Sequence, residues 1–263
     1  MAEKLPCALT LAGLDPGGGA GIAADLRAFT AAGVFGCAVT TLTTVQSTNG
    51  LRSARPLPAD VIVEMAREVV KHQDVCAFKV GALGTITNVR AVAAFLKRHR
   101  DIPSVVDPVM IASRGSARLV DPKALAAMRG DLLAVATLVT PNVPEAEALT
   151  GLRIASLQDA RIAAVKLCSM GARAAMVKGG HLAGSRAVDV VAFESGEVEE
   201  VSAERLPIRT RIHGGGCTFS SLIAGRLAQG DELLDAIVWS KKTLQKALRN
   251  IVNVGGHLRV IVP

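Results

Sequence analysis

Residues 7–45 read CALTLAGLDPGGGAGIAADLRAFTAAGVFGCAVTTLTTV, and this stretch predicts the fold. The apolar residues 7–12 are typical of a buried strand, and the alanine-rich residues 21–32 have helical spacing. A second run rich in β-branched residues follows over 37–45. A strand, a glycine-rich turn, a helix and a second strand form a unit whose two strands lie parallel.

The same alternation continues to about residue 180. It predicts helices over 61–70, 89–98 and 161–168, and strands over 75–80, 105–106, 133–140 and 174–178. A β-hairpin is expected over 188–201, and two helices, from Cys217 and over 233–251, close the chain. We therefore expect an α/β fold, a doubly wound and mainly parallel sheet with helices on both faces. No repeat or linker interrupts the pattern, so residues 1–263 are expected to form a single domain.

Composition limits the classes of partner. Half of the residues are hydrophobic but only 3% are aromatic, with no tyrosine, so the core must be aliphatic. A protein that binds single-stranded nucleic acid needs aromatic platforms for the bases. The net charge of +7 would suit a protein that binds nucleic acid, a membrane surface or phosphorylated substrates. Because no long basic run is interleaved with aromatic residues, we expect no nucleic-acid partner.

The cysteines and the apolar runs indicate the compartment. Five widely spaced cysteines form no CxxC pair, which favours reduced packing over disulfides or a zinc site. The N-terminal apolar run is too short for a signal peptide, and no stretch reaches the roughly 18 apolar residues of a membrane span. We expect a cytoplasmic protein with no membrane partner.

A glycine run precedes the predicted helix near the C-terminus, where residues 213–218 read HGGGCT. Phe219, Leu222 and Ile223 then recur at helical spacing. Such a run leaves several backbone N–H groups unpaired at one spot and lets a bulky anion approach, as phosphate requires. The same positive field would favour the thiolate of Cys217. The alternative is an ordinary glycine-rich loop followed by a buried cysteine.

Polar and glycine-rich segments also follow the predicted strands. They lie at residues 13–21, 44–49, 81, 107–108, 140–145 and 178–181. In open α/β sheets, ligands bind beyond the carboxyl ends of the strands. Each segment alone has a simpler interpretation. Asn142 and Glu145, for example, have the spacing of a helix N-cap and its capping box.

Together these segments resemble a known family. GLDPGGGAGIAADL (13–26), TTVQST (43–48), KVGALG (79–84), DPVM (107–110), TPNVPEAEAL (140–149), KGGH (178–181) and HGGGCTFSS (213–221) are similar to the hydroxymethylpyrimidine/phosphomethylpyrimidine kinases of thiamin biosynthesis. This family is a branch of the ribokinase-like superfamily. The TPNxxEA and KGGH segments mark the superfamily, and the opening segment with the cysteine of the last glycine loop marks the branch. The resemblance spans residues 8–250.

The resemblance implies phosphorylation by ATP of 4-amino-5-hydroxymethyl-2-methylpyrimidine, its monophosphate or both. The residues implied at the phosphate end are Gly214, Gly215, Gly216, Cys217, Lys178, Asn142, Glu145 and Asp107. The glycine loop and Cys217 would form an anion hole for the transferring phosphoryl group. Lys178 would lie along the ATP phosphates and Asn142 would fix their network, while Glu145 with Asp107 would hold Mg²⁺. Cys217 would either take the substrate proton or only position the acceptor.

At the acceptor end the residues implied are Gly13, Ala20, Asp25, Gln46 and Val109. Gln46 offers both a donor and an acceptor, so its amide can pair with an amino group and a ring nitrogen. Val109 would supply apolar contact to the ring. Asp25 could instead be a solvated position on the first helix. The resemblance further implies a small-molecule pyrimidine substrate and a homodimer.

Four positions depart from the usual family pattern. They are Leu14 for serine, Ser47 for asparagine, Ala82 for methionine and Gly215 for threonine. The change at Gly215 keeps the backbone donors of the anion hole. The loss of a methionine side chain at Ala82 opens space beside the ring and removes apolar contact.

Three hypotheses follow from these departures. The first is a kinase of the thiamin pathway with a repacked pocket. The second is a related vitamin kinase such as a pyridoxal kinase, in which a Cys217 thiolate could add reversibly to the aldehyde. The third is a pyrimidine-binding regulatory protein without turnover. The complete set of phosphate-binding residues argues against the third, because a sensor does not need them.

Overall fold

The computed structural model describes residues 4–110, 121, 123–182, 184–208, 210 and 212–263. The strands are β1 (Cys7–Leu14), β2 (Phe35–Ser47), β3 (Gly50–Pro56), β4 (Val75–Val80), β5 (Ser104–Val106), β6 (Leu138–Val139), β7 (Ala174–Val177), β8 (Arg186–Phe193), β9 (Val198–Glu204), β10 (Ile212–His213) and β11 (Arg259–Val260). The α-helices are α1 (Gly21–Ala31), α2 (Ala59–His72), α3 (Ile86–Arg98), α4 (Ala124–Ala127), α5 (Val143–Thr150), α6 (Leu157–Ser169), α7 (Gly215–Ala228) and α8 (Leu233–Arg249).

Nine strands form one sheet in the order β3-β2-β1-β4-β5-β6-β7-β8-β9. Within this order, the six strands from β2 to β7 run parallel to one another. Antiparallel strands lie at the two edges of the sheet, where β3 joins β2 and the β8–β9 hairpin joins β7. The predicted mainly parallel sheet and the predicted hairpin are confirmed. Strands β10 and β11 form a separate two-stranded sheet.

Helices cover both faces of the sheet, as predicted. Successive side chains of a strand point to opposite faces. Leu9 and Leu11 of β1 belong to one buried cluster with α2, α3, α5 and α6. Ala8 of the same strand belongs to a second cluster with Phe29 of α1 and Phe219 of α7. Among the described residues, no helix has both the length and the apolar character that crossing a membrane requires.

Two segments differ from the sequence prediction. The strand expected over 133–140 is limited to Leu138–Val139, and Leu133–Val135 forms a 3₁₀ turn. Leu133 is buried in either conformation, and periodicity alone cannot separate a buried strand from a buried turn of helix. The edge strand Gly50–Pro56 was not predicted. Its sequence GLRSARP contains two arginines, which are typical of a protected sheet edge and weaken the strand signal.

Candidate functional site

A cleft with a volume of about 150 Å³ lies at the carboxyl ends of the parallel strands. Residues following β1, β4, β5, β6 and β7 and the end of β2 line it, together with the first turn of α7. Every site residue predicted from the sequence except Asp25 lines this cleft. These residues are Gly13, Ala20, Gln46, Asp107, Val109, Asn142, Glu145, Lys178, Gly214, Gly215, Gly216 and Cys217.

The glycine loop before α7 has the backbone geometry that its sequence suggested. Gly214 has a φ of 81°, a left-handed conformation, and a Cβ there would lie 1.9 Å from the Gly19 carbonyl oxygen. Glycine is therefore required at this position. Helix α7 begins at Gly215, and the N–H groups of its first turn have no carbonyl partner within the helix. This end of the cleft is thus suited to an anion.

Cys217 is partly exposed in the cleft, and of the two alternatives that the sequence leaves open its surroundings favour the neutral thiol. Burial raises the pKa of the Cys217 thiol to about 11, although the nearby Lys79 ammonium acts to lower it. The carboxylates of Asp107 and Asp25 raise this pKa further. Desolvation outweighs the field of the helix, so the residue is a neutral thiol at pH 7. This protonation state suits positioning better than proton abstraction.

Lys178 and Asp107 form an ion pair inside the cleft. The Nζ of Lys178 lies 2.9 Å from Oδ1 of Asp107, and both side chains are largely buried. Burial acts to lower the pKa of Lys178, but Asp107 and Glu145 raise it above its usual value, so the ammonium stays charged. The Gly179 N–H donates to Oδ1 of Asp189 at 3.0 Å, which fixes the backbone next to Lys178. A cation is therefore held beside the anion-binding loop.

Asn142 and Glu145 form the capping box of α5 that their spacing suggested. The Glu145 N–H donates to Oδ1 of Asn142, and the Asn142 N–H donates to Oε2 of Glu145, each at 2.9 Å. The simpler interpretation is thus correct for these contacts. Glu145 also lines the cleft, where burial raises its pKa to about 7 against the lowering effect of Lys178. The carboxylate therefore caps the helix and contributes its charge to the site.

The chemistry of this corner fits Mg²⁺. Asp107 contributes to the raised pKa of Glu145, which means that two carboxylates repel each other there and a cation would relieve them. Over the described ranges, no group of three or more His, Cys, Asp and Glu residues has the arrangement of a metal cage. Mg²⁺ commonly binds through one or two carboxylates, with water and substrate phosphates completing its shell.

Asp25 differs from both sequence expectations, because it neither lines the cleft nor contacts solvent. Its carboxylate is fully buried and forms an ion pair with Lys79, whose Nζ lies 2.9 Å from both oxygens. Thr10 and Ser221 donate further hydrogen bonds, each at 2.7 Å. With all these partners inside the protein, Asp25 supports the floor of the cleft. Lys79, which lines the cleft, was missed, although a lysine within the apolar strand VCAFKV signalled it.

Gln46 meets a buried pair that the sequence analysis also missed. Its Nε2 lies 3.0 Å from Nε2 of His213, which in turn lies 2.7 Å from Oδ2 of Asp15. Residues 17–20, which follow β1, form the first glycine loop of the cleft. Asp15 also accepts hydrogen bonds from the backbone N–H groups of this loop, at Gly17, Gly19 and Ala20. Burial acts to raise the pKa of Asp15, but His213 and these N–H groups lower it overall. The signals were an aspartate that opens one glycine run and a histidine that precedes the other.

Comparison with known proteins places this geometry in a family. The family described as phosphomethylpyrimidine kinase matches residues 15–261. The chain belongs to this family. It is 40% identical to a hydroxymethylpyrimidine/phosphomethylpyrimidine kinase of Rhizobium meliloti over 92% of this chain and 90% of that protein. It is also 40% identical to a thiamine biosynthesis bifunctional protein of Geobacter sulfurreducens, of which it spans 50%.

Solved structures of related kinases have the same fold. A Bacillus subtilis pyridoxal kinase in complex with ADP is 30% identical with a TM-score of 0.88, over 98% of this chain and 97% of that one. A phosphomethylpyrimidine kinase of Clostridium difficile is 32% identical with a TM-score of 0.80, over 92% and 99% of the two chains. The ribokinase-like fold expected from the resemblance is confirmed.

Four positions of the sequence depart from the usual pattern of the family. Their surroundings in the structure differ. Ala82 is buried and lines the cleft. Leu14 lines the cleft and is 38% exposed, whereas Ser47 lies outside the lining. A Cβ at Gly215 would meet nothing closer than Ile261 at 3.6 Å, so glycine is not required at that position. Of these four positions, Ala82 is the one that is both buried and part of the cleft lining.

Proposed function

We propose that this protein transfers the γ-phosphoryl group of ATP to hydroxymethylpyrimidine, its monophosphate or both. The observation that carries the proposal is a single cleft with an anion-binding helix terminus at one end and the amide of Gln46 at the other. Membership of a phosphomethylpyrimidine kinase family supports it. In the reaction, an acceptor oxygen bonds to the γ-phosphorus, and the bond from that phosphorus to the β–γ bridging oxygen breaks, which releases ADP. The attacking oxygen is the hydroxyl of the alcohol, or a phosphate oxygen when the monophosphate is the acceptor.

The residues at the phosphate end would act mainly through charge and position. The first-turn N–H groups of α7 and the ammonium of Lys178 would stabilise the negative charge that shifts during transfer. Asp107 would hold Lys178 in place before the nucleotide arrives. The transition state of phosphoryl transfer is loose and needs little base catalysis, so the neutral thiol of Cys217 would orient the acceptor and the hydroxyl proton would leave late.

Magnesium belongs to the same proposal. When bound, Mg²⁺ supplies charge neutralisation on the nucleotide phosphates. Glu145 and Asp107 would hold it directly or through water, which accounts for two buried carboxylates beside one lysine. Asn142 would keep Glu145 oriented through their capping box.

The assembly and location of the protein belong to the same proposal. We infer a single domain, a homodimer and a cytoplasmic location, on the strength of the resemblance and of the sequence pattern. Size-exclusion chromatography with light scattering measures the mass in solution, and a mass near 54 kDa, twice that of the 27.2 kDa chain, is the expected result.

A pyridoxal kinase is the second candidate. The pyridoxal kinases of Bacillus subtilis and Staphylococcus aureus align over 98% of this chain with TM-scores of 0.88. The space beside Ala82 would admit a differently substituted ring. Addition to the aldehyde of pyridoxal, in contrast, needs the thiolate of Cys217, and the raised pKa of this residue keeps it a neutral thiol. The names of the more similar relatives favour the pyrimidine, and the phosphate-binding residues still argue against a regulatory protein without turnover.

Substitution of Gln46 tests the proposed acceptor. Gln46→Ala should raise the KM for hydroxymethylpyrimidine about tenfold or more, because a bidentate contact to the ring is lost, and leave the KM for Mg-ATP within about twofold. Gln158→Ala, at an exposed position of α6, is the matched control. Equal increases in the KM values of the two substrates would contradict the assignment.

A further inference from the structure

The buried imidazole of His213 connects two parts of the cleft that the proposed function treats separately. It belongs to β10, directly before the glycine loop at the phosphate end, yet its Nε2 lies 3.0 Å from the amide of Gln46 at the acceptor end. The side chain is 3% exposed, and that of its partner Asp15 is 4% exposed. The inference below rests on the proposed function, since it concerns how Gln46 meets the acceptor.

The contacts of His213 determine which of its nitrogens carries a proton. Asp15 is an ionised carboxylate, because its pKa is lowered and three backbone N–H groups donate to it. A carboxylate only accepts, so at 2.7 Å the Nε2 of His213 must donate to Oδ2. Nδ1 is buried with no hydrogen-bond partner among the described residues, so no group there would accept from a proton on this nitrogen.

This protonation determines how the amide of Gln46 must face. An N–H of His213 that points toward Asp15 and Gln46 cannot accept from an amide –NH₂ group. Rotation of the amide by 180° places Oε1 beside the imidazole. There Oε1 accepts a bifurcated hydrogen bond, because the same N–H also donates to Asp15. The –NH₂ group then lies on the side away from His213. The –NH₂ group is then a donor, and the remaining lone pair of Oε1 beside it is an acceptor.

We propose that His213, oriented by Asp15, is a positioning residue that determines specificity by fixing the amide of Gln46 in this orientation. The fixed amide matches a ring nitrogen next to an exocyclic amino group. An amide in the opposite orientation would exchange its donor and acceptor positions and would meet donor with donor at such a ring. The chemical class selected is therefore an aminated nitrogen heterocycle.

The packing around the imidazole keeps it from adapting to the amide. A Cβ at Gly19 would lie 2.2 Å from Cδ2 of His213, so the ring lies directly on the backbone of the first glycine loop. The same loop donates its N–H groups to Asp15, which holds both partners of the pair in place. On the other side, β10 pairs with β11 at the register His213–Val260. Gln46, whose side chain is half-buried, is the least enclosed residue of this set.

The first test needs no turnover. Nitrogen-15 NMR of the wild-type protein at pH 7.5, with labelled histidine assigned by comparison with a His213 variant, reports which ring nitrogen carries the proton. We expect Nε2 to be protonated. An unprotonated Nε2 would overturn the proposal, because His213 would then accept from the amide and fix the opposite orientation.

The second test is a double-mutant cycle on the kinetics with hydroxymethylpyrimidine. Asp15→Ala removes the acceptor that orients His213, and His213→Phe removes the donor. Each should raise the acceptor KM about tenfold, as expected for one lost hydrogen bond, and leave the KM for Mg-ATP within about twofold. In the Gln46→Ala background neither change should raise the acceptor KM further. His213→Gln, which keeps a donor near the position of Nε2, should restore most of the loss.

The outcomes separate this inference from the proposed function. His99→Phe removes a histidine that packs on Phe78 and Phe95 and is the control for loss of an imidazole elsewhere. Fold-changes that multiply in the double variants, or a fall in kcat with an unchanged acceptor KM, would overturn the role of His213. If His213→Phe does not fold, Asp15→Ala and the NMR measurement decide the question. Absence of wild-type turnover would contradict the proposed function instead.

Discussion

At the scale of single residues, Glu145 has two roles that one substitution can separate. Glu145→Gln keeps an oxygen that accepts from the Asn142 N–H and so preserves the capping box. It removes the charge that would hold Mg²⁺. We expect kcat to fall at least about 100-fold with a melting temperature within a few degrees of wild type, whereas Glu145→Ala should lower both. Unchanged kcat in Glu145→Gln would show that the residue is only a cap.

The raised pKa of Glu145 predicts a pH dependence of stability. Its pKa is about 7 in the folded protein against a usual value of 4.5, so between these values the folded state binds more protons than the unfolded state. The free energy of unfolding should therefore fall as the pH rises through this window. Glu145→Gln lacks this titration. Urea unfolding should show the variant gaining roughly 1–3 kcal/mol relative to wild type between pH 4.5 and pH 8.

The comparison has a built-in control for other titrating groups, because wild type and variant differ only at this side chain. A stability difference that does not change with pH would contradict the assigned pKa. A difference that changes in the opposite direction would mean that the carboxylate is stabilised by Lys178 more than burial destabilises it.

Asp25 is a structural residue in this account, and its substitution should show this. Asp25→Asn leaves the fully buried ammonium of Lys79 without its counter-ion. Loss of one partner of a buried pair costs about 3–5 kcal/mol of unfolding free energy, which urea denaturation measures. The acceptor KM of the folded protein should stay within about twofold. A variant of wild-type stability with a raised acceptor KM would restore Asp25 as a substrate ligand.

At the scale of elements, the first turn of α7 offers a matched pair of substitutions. A Cβ at Gly216 would lie 3.2 Å from Nζ of Lys178 and 3.6 Å from Oδ2 of Asp107. A Cβ at Gly215 has room and a backbone that accepts alanine. Gly216→Ala should displace Lys178 and lower kcat about 10- to 100-fold. Gly215→Ala should keep kcat within about twofold and raise stability by up to about 1 kcal/mol.

Steady-state kinetics and thermal unfolding of the two variants check this expectation. Equal losses of kcat would mean that the loop as a whole, rather than the ion pair beneath Gly216, is sensitive to added side chains. Unchanged kcat values in both variants would show that Lys178 does not contribute to phosphoryl transfer.

Much of the element order could be predicted from the sequence because the strands of a covered parallel sheet are apolar and its helices are amphipathic. The prediction failed where this contrast is absent. Gly50–Pro56 is polar because it forms an edge, and residues 133–135 are apolar because they are buried without being a strand. A two-residue strand such as β10 has no sequence pattern of its own.

The site was predictable to the extent that short segments mark strand ends. Those segments supplied the residues that line the cleft, but not the contacts among them. The pairs of Lys79 with Asp25 and of His213 with Asp15 join residues 54 and 198 positions apart, so no local pattern reveals them. The protonation of Cys217 depends on desolvation by the folded protein, which the helix position alone cannot indicate.

At the scale of the whole molecule, the sheet places two binding regions in one cleft, and ligands should stabilise the fold through each region separately. ADP with Mg²⁺ at about 100 times its Kd should add about 2.7 kcal/mol to the free energy of unfolding, as should hydroxymethylpyrimidine. Removal of Mg²⁺ with EDTA should abolish most of the shift in melting temperature caused by ADP and leave that caused by the pyrimidine unchanged. An ADP shift that is insensitive to EDTA would contradict the metal role of Glu145 and Asp107.

The central claim is that this cleft phosphorylates an aminopyrimidine. Its most direct test is the rate of ADP release from Mg-ATP with hydroxymethylpyrimidine, its monophosphate and pyridoxal supplied side by side at equal concentrations. The account predicts rapid turnover of at least one pyrimidine, with kcat/KM well above that for pyridoxal. A higher kcat/KM for pyridoxal would show that the space beside Ala82 has changed the acceptor. Turnover of none of the three, despite tight binding of the pyrimidine, would contradict the assignment as a kinase.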